Sequence, residues 1–133
     1  MKVRQKKNST LLTEVELEFM TAVWEINGGT VRDVMACLSP DRNLAYTSAS
    51  TIMRILEQKK FLLSEKAGKS FIYKPAVAKR DYQTKSLNDL SAKLFDNTPS
   101  SLVARLVDDE NLTEETLVEI RALLDQRLGK NAG

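Results

Sequence analysis

The 133-residue chain contains no histidine. That absence removes the commonest general base, every Ser-His or Cys-His nucleophile pair, and most zinc sites. A single cysteine, Cys37, leaves no intramolecular disulfide to form, which suits a reducing compartment. Cys37 falls in an apolar helical segment and is expected to be a buried small hydrophobe. No apolar run approaches the roughly 20 residues needed to cross a bilayer. The basic start, MKVRQKKNST, has no apolar stretch behind it that would make a signal peptide. The expectation is a cytoplasmic protein without direct membrane insertion. Gly-rich phosphate loops, Walker motifs and GxSxG are also missing. The acidic group Asp108, Asp109, Glu110, Glu114 and Glu115 lacks the spacing of a Ca²⁺ loop and reads as a helix N-terminal charge cluster. No enzyme, no cofactor and no metal site is expected.

What is present fits a folded chain: 42% hydrophobic and 29% charged residues exclude a disordered polyelectrolyte. The net charge of +2 is uneven along the chain. Residues 1–75 carry 12 Lys/Arg against 8 Asp/Glu, whereas residues 76–133 carry 8 against 10. A basic first half joined to a mildly acidic second half suggests that only the first meets a polyanion.

Local signals divide the chain into a flexible basic arm (1–10, with Lys2, Arg4, Lys6 and Lys7), a first domain (11–75) and a helical region (76–133). Thr13 and Glu16 form a capping box at the start of a helix over about 14–26. Its two apolar stripes, one through Val15, Phe19 and Val23 and one through Leu17, Met20 and Trp24, require packing on both sides. Asn27-Gly28-Gly29 ends it, and Thr30 caps a short helix carrying Val31, Val34, Met35 and Leu38. After the Pro40 turn, Thr47 is expected to cap a third helix running to about Lys60. Residues 61–65 and 70–74 read as strands joined by Lys66-Ala67-Gly68-Lys69. Beyond Pro75 the pattern is helical, with Pro99 opening one helix and Thr113 capping the last, which Gly129 ends.

The third helix carries the functional signal. Steps of 100° per residue place Ala49, Ile52, Met53, Ile55 and Leu56 on one side. Thr47, Ser50, Thr51, Arg54 and Gln58 fall on the other. Short hydroxyls with one guanidinium and one amide hydrogen-bond well to base edges and phosphates. Arg54 suits a bidentate contact with guanine or a phosphate, and Thr47, Ser48, Ser50 and Thr51 can meet phosphates near the helix start. Lys66 and Lys69 at the hairpin tip can track the DNA backbone. Tyr46 and Tyr73 are expected to be packing residues. The order helix pair, polar-faced helix, basic hairpin is that of a winged helix-turn-helix. The fold class is therefore mainly α with a small β-hairpin wing, followed by a C-terminal helical dimerisation region.

The C-terminal helices are too small to bury their own apolar faces. Leu87, Leu90, Leu94, Leu102, Leu106, Leu117, Ile120 and Leu124 are expected to meet the same residues of a second copy, giving a homodimer. The expected partner of the first domain is then double-stranded DNA. The alternative is a protein-interaction module without specific DNA binding, its winged helix a scaffold and its C-terminal helices the docking element.

The segments LTEVELEFMTAVWE, TVRDV, LAYTSASTIMRILEQKKFL and FIYKP resemble the BlaI/MecI penicillinase-repressor family, over about residues 11–128. The resemblance implies winged-helix repressors that bind a palindromic operator as homodimers through their N-terminal domains and dimerise through their C-terminal helices. In the resistance-gene members a membrane-bound sensor protease triggers cleavage within the C-terminal region. The corresponding bond here is Arg105–Leu106, where the family has Asn–Phe. The C-terminal cysteine cluster of the copper-responsive relatives is absent. Lys60 stands where many members carry glycine.

Overall fold

A computed structural model of the chain describes residues 11–132, so the basic arm expected at 1–10 lies outside the described residues. The element order is α1 (Glu14–Ile26), α2 (Val31–Met35), α3 (Tyr46–Gln58), β1 (Leu62–Ala67), β2 (Ser70–Pro75), α4 (Lys79–Leu94), α5 (Pro99–Val107) and α6 (Glu114–Ala132). The chain is mainly helical with one antiparallel hairpin, and it divides into two compact units, up to Ser86 and from Leu87 onward.

In the first unit the capping box of α1 forms as its sequence requires: Glu16 N–H donates to Thr13 Oγ1, and Thr13 N–H donates to Glu16 Oε1. Phe19, Met20 and Val23 of α1 pack with Val34 of α2 and with Ala49, Met53 and Leu56 of α3. Leu62 and Tyr73 of the hairpin close this core from below α3. Leu17, part of the second apolar stripe, remains exposed.

α2 is shorter than its apolar spacing suggests and stops at Met35. This changes Cys37, which is exposed rather than buried. Its N–H donates to the Val34 carbonyl in a turn that departs from the helix, so the residue leaves the apolar face. α3 likewise starts earlier than expected. Ala45 is its N-cap and Thr47 lies inside the first turn, so no side chain caps the helix.

Lys60 adopts φ 72° at the exit of α3, where its N–H donates to the Glu57 carbonyl and Phe61 N–H to the Leu56 carbonyl. The left-handed conformation that glycine takes freely is thus held here by a side-chain-bearing residue, at a cost of about 1–2 kcal/mol. Lys60→Gly is expected to raise the unfolding free energy by roughly 1 kcal/mol, read as a higher urea midpoint at unchanged m-value.

The hairpin is tighter than its sequence suggested. Lys66 and Ala67 belong to β1, Ala67 pairs with Ser70, and only Gly68 and Lys69 make the turn. A third backbone segment joins it through Gly29, which exchanges two hydrogen bonds with Tyr73, at 2.9 and 2.8 Å. The first unit also continues past Pro75. Trp24 Nε1–H donates to the Val77 carbonyl at 2.8 Å, and Leu12 N–H donates to the Tyr82 hydroxyl at 2.9 Å. The Tyr82 ring lies 5.9 Å from Trp24 and 5.7 Å from Phe61, so the start of α4 is packed onto α1 and the root of the wing.

In the second unit α4 ends in a turn with Asp96 and Asn97 at positive φ, closed by Asn97 N–H on the Ser91 carbonyl. Thr113 caps α6, accepting from Thr116 N–H at 3.1 Å. Gly129 does not end α6, which runs on to Ala132. α5 and α6 contain no residue that is buried, among those described. Leu87, Leu90, Leu94, Leu106, Leu117 and Leu124 are exposed, and Leu102 and Ile120 half-buried. Val103, Val118 and Leu123 add exposed apolar surface beyond the eight residues expected at the contact. Among the described residues, no helix is long and apolar enough to cross a membrane.

Candidate nucleic-acid interface

The outward face of α3 is set by what its other face buries. With Ala49, Met53 and Leu56 fully enclosed, the helix must turn Thr47, Ser48, Thr51, Arg54 and Gln58 outward, and all five are exposed. Ser50 is half-buried. The Thr51 hydroxyl donates to the Thr47 carbonyl at 3.0 Å, keeping it against its own helix. At the N-terminus the missing side-chain cap leaves first-turn N–H groups open to solvent, and the helix dipole adds positive potential there. An anion is the natural partner of such an end.

Two ion pairs pin both ends of α3 to α1. Ahead of α3, Arg42 donates from Nε and Nη2 to the two carboxylate oxygens of Glu18, at 2.8 and 2.6 Å. Behind it, Lys59 Nζ donates to Glu16 at 2.7 Å. Burial raises the Glu16 pKa, but the hydrogen bonds from Lys59 and Thr13 with the Lys59 charge outweigh it and hold Glu16 below its usual value. A third link ties α3 to the wing, where Ser64 Oγ donates to Glu57 Oε2 at 2.6 Å. Burial, followed by the Glu57 charge, pushes the Tyr73 phenol up, so this core hydroxyl stays neutral.

These pairings sort the cations. Arg42 and Lys59 are consumed by α1, while Arg54, Lys66 and Lys69 are in no ion pair among the described residues. Arg54, Lys66 and Lys69 are all exposed, on α3, β1 and the turn. The exposed face of α3 carries no carboxylate, and Glu57, at its edge, is engaged by Ser64. The first unit thus brings together an acid-free hydroxyl face, an open helix N-terminus and a basic hairpin. That arrangement can bind a polyanion, and it offers Arg54 for planar, bidentate recognition.

One residue of this region escaped the reading of the sequence, and one was misread. Arg32 of α2 lies over the Tyr46 ring with its guanidinium carbon 4.5 Å from the ring centre. Tyr46 is therefore not a packing residue: it is 43% exposed because α3 begins with it, beyond the reach of the core. Tyr73, by contrast, is buried. The expected cleavage bond, Arg105–Leu106, lies in the last turn of α5 with both residues exposed.

Comparison with known proteins gives a consistent picture. The profile of the penicillinase repressor family matches residues 12–126. A 16.5 kDa protein of Latilactobacillus sakei, described as uncharacterised and lying in the ptsI 3′ region, is 26% identical over 89% of this chain and 81% of its own length. The penicillinase repressor of Bacillus licheniformis is 23% identical, covering 86% of this chain and 90% of that one. The methicillin resistance regulatory protein MecI of Staphylococcus aureus (strain Mu50) is 22% identical over 87% of this chain and 94% of its own. The solution structure of the DNA-binding domain of the repressor BlaI aligns with a TM-score of 0.48 at 26% identity, covering 55% of this chain and 89% of that one. The chain belongs to the penicillinase repressor family, whose members are DNA-binding transcriptional regulators and not enzymes.

Proposed function

We propose that the chain is a homodimeric repressor that binds an inverted-repeat operator and blocks transcription by occupying the promoter. The observation that carries this reading is the acid-free outward face of α3 beside an uncapped helix N-terminus and a basic wing. In this reading α3 lies in the major groove. Arg54 reads a guanine edge, with Gln58 one turn further along the same face. Thr47, Ser48, Ser50 and Thr51 hold phosphates around the open end of α3, and Lys66 and Lys69 rest on the flanking backbone. Two copies joined through their C-terminal helices fix the half-site separation at about one helical turn, roughly 10 bp or a multiple of it.

The supporting fact for the dimer is the second unit's exposed leucines, which its own helices leave unburied. Leu87, Leu90, Leu94, Leu102, Leu106, Leu117, Ile120 and Leu124 are the residues assigned to the contact. The same surface would also serve the alternative of a protein-interaction module, which the acidic balance of residues 76–133 favours slightly. Induction by a membrane-bound sensor protease, acting at Arg105–Leu106, would require the last turn of α5 to unwind, because proteases cut exposed flexible chain in preference to helix.

The deciding experiment is fluorescence anisotropy of the full chain on duplex DNA from upstream of its own gene, against a scrambled duplex of equal length. Preference for the upstream duplex supports the repressor; equal or absent binding removes it. Arg54→Ala is expected to weaken binding to the preferred duplex by about 1–3 kcal/mol while leaving scrambled DNA nearly unchanged. Equal loss on both duplexes would reassign Arg54 to a phosphate.

A further inference from the structure

Between α2, the first turn of α3 and the wing lies a cavity of about 130 Å³. Its walls include Arg32, Tyr46, Ser50, Lys69 and Ser70, and no carboxylate lines it. The nearest acidic group in sequence, Asp33, is committed elsewhere: its Oδ2 accepts from Thr30 N–H at 3.0 Å in the capping box of α2. Size decides what the cavity can hold. Pockets for metabolites and drug-sized ligands run to about 300–1,000 Å³. A drug-sized effector molecule is therefore too large, whereas one phosphoryl group with its oxygens is not.

The chemistry points the same way. Arg32 is held over Tyr46 by its cation–π contact, so its planar fork is pre-organised and loses little rotamer freedom on binding. Lys69 approaches from the turn of the hairpin, and Ser50 and Ser70 supply hydroxyl donors between them. The cavity also neighbours the open N-terminal end of α3. We infer that this cavity seats a single backbone phosphate of duplex DNA, clamped between Arg32 of α2 and Lys69 of the wing, and so sets how deeply α3 enters its groove. This rests on the DNA-binding reading above and adds a contact from α2, an element with no assigned role in it.

The test uses the full chain on the upstream and scrambled duplexes over a range of KCl concentrations. Arg32→Ala is expected to lower affinity about tenfold on both duplexes alike, the scale of one charge-assisted contact. The plot of log affinity against log salt should become shallower by about 0.9, the value for one phosphate. Lys69→Ala should do the same, and Arg32→Lys should keep the slope while losing part of the affinity. Both side chains are exposed, so the variants should melt with the parent protein.

Duplexes with single methylphosphonate linkages then locate the contact. One neutral linkage should weaken the parent protein and have no further effect on Arg32→Ala, whereas independent losses overturn the clamp. An unchanged salt slope in Arg32→Ala also overturns it, as does a loss confined to the upstream duplex. A separate titration with inorganic phosphate, followed by amide shifts of Tyr46 and Ser70, distinguishes a free-anion site. Saturation by phosphate alone together with unaltered DNA binding in Arg32→Ala would assign the cavity to a small anion and overturn the proposal. Failure of the parent protein to bind either duplex is a different result and removes the DNA reading itself.

Discussion

Leu117→Asp combined with Leu124→Asp is expected to convert the proposed dimer into a monomer and to lower affinity for the proposed operator by roughly 10²–10⁴-fold, while the first unit stays folded. Both leucines lie on α6 and are exposed in the single chain, at 38% and 54%. Fully burying a leucine contributes about 1.5–3 kcal/mol, and two-fold symmetry doubles each contribution. With only their exposed fractions left to bury, the two leucines of both protomers account for roughly 3–6 kcal/mol, against about 8 kcal/mol for a micromolar dimer. Placing carboxylates at the same positions adds desolvation and like-charge repulsion across the axis. The affinity loss follows because one half-site no longer raises the effective concentration of the other. Sedimentation equilibrium and anisotropy on the operator duplex measure the two effects. A double variant that still sediments as a dimer would place the contact elsewhere, and a monomer with full operator affinity would separate DNA binding from dimerisation.

Gly28→Ala is expected to be strongly destabilising to the first unit. Gly28 has φ 98°, a conformation that costs a side-chain-bearing residue about 1–3 kcal/mol. A Cβ there would lie 2.5 Å from the Tyr73 carbonyl oxygen. That oxygen cannot move away freely, since it accepts from Gly29 N–H while Tyr73 N–H donates back to Gly29. Relieving the clash breaks a two-way backbone link whose bonds each contribute about 0.5–1.5 kcal/mol. The sum, roughly 2–6 kcal/mol, is a large share of the 5–15 kcal/mol typical of a domain. The melting temperature should fall by more than about 10 °C. Gly68→Ala is the control: φ is 66° but nothing lies within 4 Å of its Cβ, so only the conformational cost of about 1 kcal/mol remains. Equal drops in the two variants would show that the Tyr73 contact is not what fixes Gly28. Because Tyr73 anchors the wing, Gly28→Ala should also weaken DNA binding at temperatures where the protein remains folded.

Much of the first unit was legible because its signals are local. The Thr13–Glu16 box, the 3.6-residue apolar spacing of α3 and the strand-like runs on either side of Gly68 each concern neighbours in the chain. The outward face of α3 followed from the same periodicity: Thr47, Thr51, Arg54 and Gln58 are exposed, and only Ser50 is half-buried. Element ends were read less well. Thr47 looked like a cap, yet α3 starts at Tyr46 because packing of Ala49 against the core, not a local hydrogen bond, sets its first turn. Cys37 looked buried because its apolar neighbours suggested a longer α2, but that helix stops at Met35 and the thiol turns outward.

The sequence by itself determined the kinds and order of the elements, the polar face of the third helix, and the leucine surface that the C-terminal helices cannot bury alone. Tertiary structure alone decided which cations remain for a polyanion. Glu18 and Glu16 take Arg42 and Lys59, residues 24 and 43 positions away. It also brought Arg32 over Tyr46 and joined Gly29 to Tyr73. Each of these contacts links residues distant in the chain, and no periodicity or cap encodes them, because their geometry exists only once the core has closed.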